Sequence, residues 1–244
     1  MKIAKEQRRQ FRRSMRRVRE GVAEASPPWA RRTFGPMVDW LDMVLVDHGV
    51  FRYVYPNRHR ITDRAFRASQ PAPSHIRRYA REGIRTIVNL RGERDCGAYR
   101  LEIATCRESG IRMVDFKVMS RAAPLPETIH AAARLFDEIE YPILMHCKSG
   151  ADRVGLMSVL YLFLKERRPL EEAMGQLDWR YGHFRQADTG ILDLFFERYL
   201  EASRKEPIAF ERWLDEVYDP DELKRSFKAR STSNLIVNWI LRRE

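Results

Sequence analysis

The chain has 244 residues, 44% of them hydrophobic and 32% charged, enough apolar material for one sizeable core and too much for a disordered segment. Its net charge of +11 suits an anionic partner, and three cysteines with no paired spacing exclude a disulfide scaffold and point to a reducing compartment. The six histidines form no metal-ligand cluster, no cofactor motif is present, and no apolar run is long enough to span a bilayer.

Residues 1–20 hold nine Lys or Arg against two Glu, and Phe11, Met15, Val18 and Val22 recur at helical spacing. That pattern predicts a basic amphipathic helix over 1–22, attractive to an anionic membrane surface, to an acidic protein face or, less in keeping with the rest of the chain, to nucleic acid. A solvated face beside a docked apolar stripe accounts for it equally. The pairs Arg8-Arg9 and Arg12-Arg13 do not make an export signal, because Ala-Glu-Ala-Ser-Pro-Pro-Trp follows Val22 where an apolar run is required. The reading is a cytoplasmic protein that can rest on the inner face of a membrane through this arm.

Ser26-Pro-Pro28 breaks that helix from a second segment near 36–48, and Val50–Tyr55 and Arg60–Arg67 read as extended. Alternation then sets in: a helix near 73–82, a strand at 84–90, a helix near 98–108, a strand at 111–118, a helix near 126–139 and the apolar strand Pro142-Ile-Leu-Met-His146. Such alternation predicts a mixed α/β core with a largely parallel sheet covered on both sides. Downstream the pattern is wholly helical, over 154–167, 169–178, 189–204, 207–218, 220–229 and 232–242. Phe210, Trp213, Leu214 and Val217 mark one core stripe, and Leu235, Ile236, Trp239 and Ile240 another. The organisation expected is a lead-in over 1–58, a core domain over 59–204 and a helical extension over 205–244; the pattern specifies no oligomeric state.

The most informative stretch is His146-Cys-Lys-Ser-Gly-Ala-Asp-Arg153, which lies between the apolar strand and an apolar helix. The first turn of any helix leaves backbone donors open, and the turn before it curls further amides inward, so Lys148, Ser149, Gly150, Ala151, Asp152 and Arg153 form a phosphate cradle. Arg153 adds a planar bidentate fork. The same field favours a thiolate at Cys147, a nucleophile able to attack phosphorus.

A His-Cys, five intervening residues and an Arg resemble the signature of the cysteine-dependent phosphatases, the protein tyrosine and dual-specificity group. Phe66-Arg-Ala-Ser-Gln-Pro71 and Gly83-Ile-Arg-Thr-Ile-Val-Asn-Leu-Arg91 are similar to the entry strand and the next strand of the bacterial dual-specificity-like members, so the resemblance covers about residues 59–200. It implies a protein tyrosine phosphatase-like α/β fold and hydrolysis of a phosphate monoester through a phosphocysteine. It also implies a supporting role for His146, holding the cysteine loop by hydrogen bonding.

Two departures bear on turnover. Relatives carry Ser or Thr after the arginine, where this chain has Val154, although Ser149 could partly substitute. Relatives also place an acidic Asp in the loop that here reads Met119-Ser-Arg-Ala-Ala-Pro-Leu-Pro126, without a carboxylate. Asp115 reads as a mid-strand face residue. Asp152 is the better candidate for the acid, as in the myotubularin and Sac-type lipid phosphatases, and capping of the following helix explains it as well. Lys148 and Arg121 each have two readings, a solvated loop residue or a binder of extra negative charge, and Arg91 and Tyr181–Gln186 are expected to border the site. The substrate expected first is a phosphotyrosine-type or dual-specificity protein ester. A phosphorylated lipid of phosphoinositide or lipid A type is the rival, and a phosphate-binding module with little turnover the third reading.

Overall fold

The computed structural model describes residues 28–45 and 55–228, together with Ser14, Arg17 and Gly21. Apart from Ser14, Arg17 and Gly21, the basic helix expected over 1–22 lies outside the described residues, as do all of the 50–55 segment but Tyr55 and the helix expected over 232–242.

Two compact units divide the chain, one formed by Met1–Lys117 with Glu140–Lys148 and the other by Val118–Ile139 with Ser149–Glu244. The first contains the whole sheet. Its strands are β1 (His59–Arg60), β2 (Ala65–Ser69), β3 (Thr86–Asn89), β4 (Arg112–Asp115) and β5 (Ile143–Cys147), in the spatial order β1-β2-β5-β3-β4. Only the β1–β2 pair is antiparallel, so the mostly parallel sheet expected from the alternation is present. The run Arg60–Arg67, read as extended throughout, is instead a hairpin: His59 pairs with Arg67, and Ile61 and Thr62 donate back to the Ala65 carbonyl across the turn.

β5 sits between two parallel neighbours with all five residues buried, which explains its unbroken apolar sequence. Around it Ala68, Ile76, Tyr79, Ile84, Ile87, Cys106, Ile111 and Leu144 close one core cluster. Burial in this cluster pushes the Cys106 thiol up, with the Glu102 carboxylate adding to the effect, so Cys106 is an inert apolar residue. The cluster joins the sheet to α2 (Pro73–Arg81) and α3 (Gly97–Glu108).

The segment near 36–48 is part of a longer helix, α1 (Pro28–Leu45), whose first residue is the second proline of the expected break, a favoured residue at a helix start. Asp39 and Asp42, which interrupt its apolar stretch, dock it on α3. Asp42 Oδ2 accepts from the Gly97 amide at 2.6 Å, a helix cap supplied from another helix, and Asp39 accepts from Arg100 at 2.7 Å. The helices meet so closely that a Cβ on Gly97 would lie 2.3 Å from the Asp39 carbonyl oxygen.

The second unit holds α4 (Pro126–Glu138) and α5 (Asp152–Leu160), which runs on into a π-helical turn at Tyr161–Lys165. It continues with α6 (Leu170–Ala173), α7 (Ile191–Lys205), α8 (Phe210–Glu216) and a helix over 220–228. The helix expected over 169–178 is correspondingly short, ending in a 3-10 turn at Met174–Gln176. Phe195, Tyr199, Phe210 and Trp213 form a ring cluster with centroids 5.0–6.2 Å apart, so the expected stripe is core, except that Val217 is exposed.

Gly97→Ala is expected to lower the stability of the first unit by about 1–3 kcal/mol, the cost of overpacking against backbone that has nowhere to move. Thermal and urea denaturation of the variant beside the parent checks it, and an unchanged midpoint would show that α1 is not seated on α3.

Candidate active site

The parallel register sets the strand ends level. Ser69 stands opposite Cys147, Asn89 opposite His146, and Asn89 opposite Asp115, so the chemistry-bearing residues of the sheet gather at its C-terminal edge. Ligand sites of open parallel sheets lie outside that edge. Cys147, the last residue of β5, is buried and unoxidised.

A buried chain of polar groups fixes the backbone that carries Cys147. His146 Nε2 lies 2.5 Å from Glu102 Oε1, an ion-pair contact off the hydrogen-bond line, with both side chains wholly buried. Glu102 Oε2 accepts from Gln70 Nε2 at 2.8 Å, and Gln70 Oε1 accepts from Arg91 Nη1. Arg91 is therefore committed inside the first unit. A second set closes the turn after β3: Asn89 donates to Asp115 Oδ1 at 2.7 Å and to the Gly92 carbonyl, and its Oδ1 accepts from the Arg91 amide.

After Cys147 the chain exposes Lys148 and Ser149 and buries Gly150 and Ala151. Gly150 has φ of +76°, a left-handed turn that a side chain would strain, and α5 starts directly afterwards at Asp152. The Gly155 amide bonds the Ala151 carbonyl at 2.8 Å, which leaves the amides of Asp152 and Arg153 in the first turn without an intrahelical acceptor. Arg153 is half-buried and, among the described residues, has no ion-pair or hydrogen-bond partner. A half-buried guanidinium without a carboxylate is set for an external anion. Val154 is fully buried and brings no hydroxyl to this turn.

Asp152 does have a partner, one that sequence reasoning missed. Its Oδ1 is 2.8 Å from His183 Nδ1, and His183 Nε2 is 2.7 Å from Asp193 Oδ2. Burial works against a charged ring, but the two carboxylates overcome it and raise His183 to about 9. Gly182, at φ +80°, turns this segment so tightly beside the loop that a Cβ there would lie 3.8 Å from that of Ala151. Tyr181–Gln186 thus borders the loop at Ala151 and Asp152, as the sequence implied. The available signals were two: Asp193 interrupts the apolar run Ile-Leu-Asp-Leu-Phe-Phe, and Glu102 falls on the buried face of α3 with Ala98, Tyr99, Thr105 and Cys106.

Asp115 is not mid-strand. β4 ends there, because β3 turns away at Asn89 and offers no pairing beyond Phe116, and the Asp115 carboxylate is held by Asn89 and by the Tyr99 hydroxyl at 2.5 Å. Arg121 is exposed and has no partner among the described residues. Among those residues no group of His, Cys, Asp and Glu is placed to hold a metal ion, and no helix is long and apolar enough to cross a membrane.

A family model described as DSP-PTPase phosphatase fused to NAD+ kinase matches residues 56–189, more than half of the chain. A comparison with curated proteins finds no match. Among solved structures the chain is similar to TpbA of P. aeruginosa, at 17% identity over 70% of this chain and 89% of that one, with a TM-score of 0.48. It is also similar to Tk-PTP in the active form (22% identity, 59% and 99% covered, TM-score 0.46) and to PTPMT1 (17%, 61% and 99%, 0.43).

Glu102→Ala would remove the carboxylate beside the buried His146 ring and the acceptor of the Gln70 Nε2 bond, and should cost about 3 kcal/mol of stability. Denaturant unfolding measures this; a loss of less than about 0.5 kcal/mol, the scale of an ordinary surface substitution, would show that the network does not hold β5.

Proposed function

This chain belongs to the DSP-PTPase phosphatase family, and on that premise we propose that it hydrolyses phosphate monoesters of proteins, phosphotyrosine first, through a phosphocysteine at Cys147. The observation that carries the reading is Arg153, an unpartnered, half-buried guanidinium in the first turn of the helix that follows the strand ending at Cys147. In the first step the Cys147 thiolate attacks phosphorus, the bond from phosphorus to the ester oxygen breaks, and the leaving oxygen takes a proton from solvent water. In the second step water attacks, the sulfur–phosphorus bond breaks, and inorganic phosphate departs with the thiolate restored. Arg153, the amides of Asp152 and Arg153 and the turn of 148–151 hold the equatorial oxygens, where charge stabilisation supplies most of the acceleration. His146 supports the nucleophile through its buried contacts, and Lys148 and Ser149 complete the loop. Asp115, tied to Tyr99 and Asn89, has no part in proton transfer.

An aryl ester suits this site because a phenoxide leaves with less help from an acid than an alkoxide does. A nucleophilic thiol must stay reduced, which supports a cytoplasmic setting. A phosphorylated lipid is the second reading. It is supported by the exposed Trp179 and Phe184, 73% and 59% accessible, and by the unpartnered Arg121, with residues 1–22 as the proposed membrane contact.

With p-nitrophenyl phosphate and a phosphotyrosine peptide, Cys147→Ser should lower turnover by at least about four orders of magnitude, and Arg153→Lys by about 10²–10³-fold through loss of the fork. Retained vanadate binding without turnover by the parent protein would replace the enzyme with a phosphate-binding module. Faster release from phosphoinositide liposomes than from the peptide, abolished by deleting residues 1–25, would favour the lipid.

A further inference from the structure

The side chains of Asp152, His183 and Asp193 form a triad with no part in the scheme above, which uses only the amide of Asp152. His183 is 1% exposed and both its ring nitrogens meet carboxylates, at 2.8 Å and 2.7 Å. Asp152 Oδ2, by contrast, has no hydrogen-bond partner among the described residues, and the side chain is 24% exposed. One oxygen of Asp152 is thus anchored and the other is open.

We propose that His183 is a positioning residue that aims Asp152 as the base of the second step, with Asp193 holding His183 from behind. The inference rests on the phosphocysteine reading. An acid must arrive carrying a proton, and a carboxylate that accepts from an imidazolium favours its ionised form. A base needs a free oxygen within reach of the attacking water, and the anchored Oδ1 of Asp152 leaves its Oδ2 open for that role. The water proton passes to Asp152 Oδ2 as the water oxygen bonds phosphorus; the sulfur–phosphorus bond breaks, its electrons return to Cys147, and Asp152 then releases the proton to solvent. The first turn of α5 reads Asp-Arg-Val-Gly, so Asp152 is its one group able to accept a proton, and Val154 cannot assist the departing thiolate. The imidazolium has a second effect: it offsets the negative charge that a lone Asp152 would set against an incoming phosphate.

The charged groups facing His183 are Asp152 on α5, Asp193 on α7 and Asp178, whose carbonyl accepts the His183 amide at 3.2 Å. All three favour the protonated ring. The sign follows: the raised ring is charged through neutrality and loses its proton as pH climbs through about 9, so the second step weakens there.

Rapid-quench kinetics with p-nitrophenyl phosphate separates the two steps as a nitrophenol burst and a steady-state rate. His183→Gln is expected to keep the burst and lower the steady state by about 10²-fold, with phosphocysteine accumulating. The parent should show an alkaline limb in its steady-state rate near pH 9, absent in His183→Gln. Asp193→Asn, which retains an oxygen to accept from the ring, should move that limb down toward the ordinary imidazole value of about 6.5. An unchanged limb in Asp193→Asn, an unchanged steady state in His183→Gln, or equal loss of burst and steady state would each overturn the proposal. Absence of any burst in the parent would instead remove the phosphocysteine itself, a failure of the reading beneath it.

Discussion

The constraint on which the site depends is the burial of ionisable groups behind Cys147. A wholly buried histidine beside a wholly buried glutamate is costly unless every remaining polar atom nearby is engaged. Gln70 and Arg91 answer part of that requirement by engaging Glu102 Oε2, and in doing so they tie together the segment after β2, the turn after β3 and the middle of α3 behind the end of β5. A shift of β5 by one residue would carry His146 away from Glu102 and place an apolar side chain against a carboxylate. The parallel register, the position of Cys147 at the sheet edge and the seat of α3 are thus one decision rather than three.

That decision explains why α1 matters to a site from which it is distant in sequence. α3 presents Glu102 correctly only if its first turn is fixed, and the amide of Gly97 at that turn has no partner within the helix. Asp42 supplies one from α1, and Asp39 holds Arg100 one turn later. Two aspartates that look like faults in an apolar stripe are therefore the residues that orient the helix. Their side chains are almost fully buried, which only a specific backbone donor and a specific guanidinium make tolerable.

Much of this was legible in the chain because period and punctuation report local structure. The apolar strand read over 142–146, the turn expected after it and the helix read from 154 onward are each produced by neighbours within a few residues, and the elements fall within a residue or two of where the pattern puts them. The misplaced features depend on partners far away. Arg60–Arg67 is uniformly extended in character, yet its hairpin is set by β5 pairing beyond it. Asp115 alternates correctly for a strand interior, and the strand stops only because β3 turns on the Asn89 side chain. His183 meets Asp152 across 31 positions and Asp193 across ten, distances at which a single sequence carries no phase information.

The charges of the loop can now be balanced. Asp152 alone would set a carboxylate against a phosphate dianion, an arrangement that Coulomb repulsion disfavours most where water is least. A ring charged through neutrality, held at 2.7 Å by Asp193, sets a positive centre 2.8 Å behind the loop carboxylate. The unpartnered Arg153 and the helix dipole then remain available to the substrate. On the proposed scheme such a site favours esters whose oxygen leaves without a strong acid and gives Asp152, the one carboxylate of the 146–153 stretch, to removing the phosphoryl group from sulfur. The missing carboxylate in the 119–126 loop and the missing hydroxyl at Val154 are linked on the proposed scheme: with no acid there for the leaving group and no hydroxyl for the thiolate, the assistance of the second step falls to the Asp152 carboxylate.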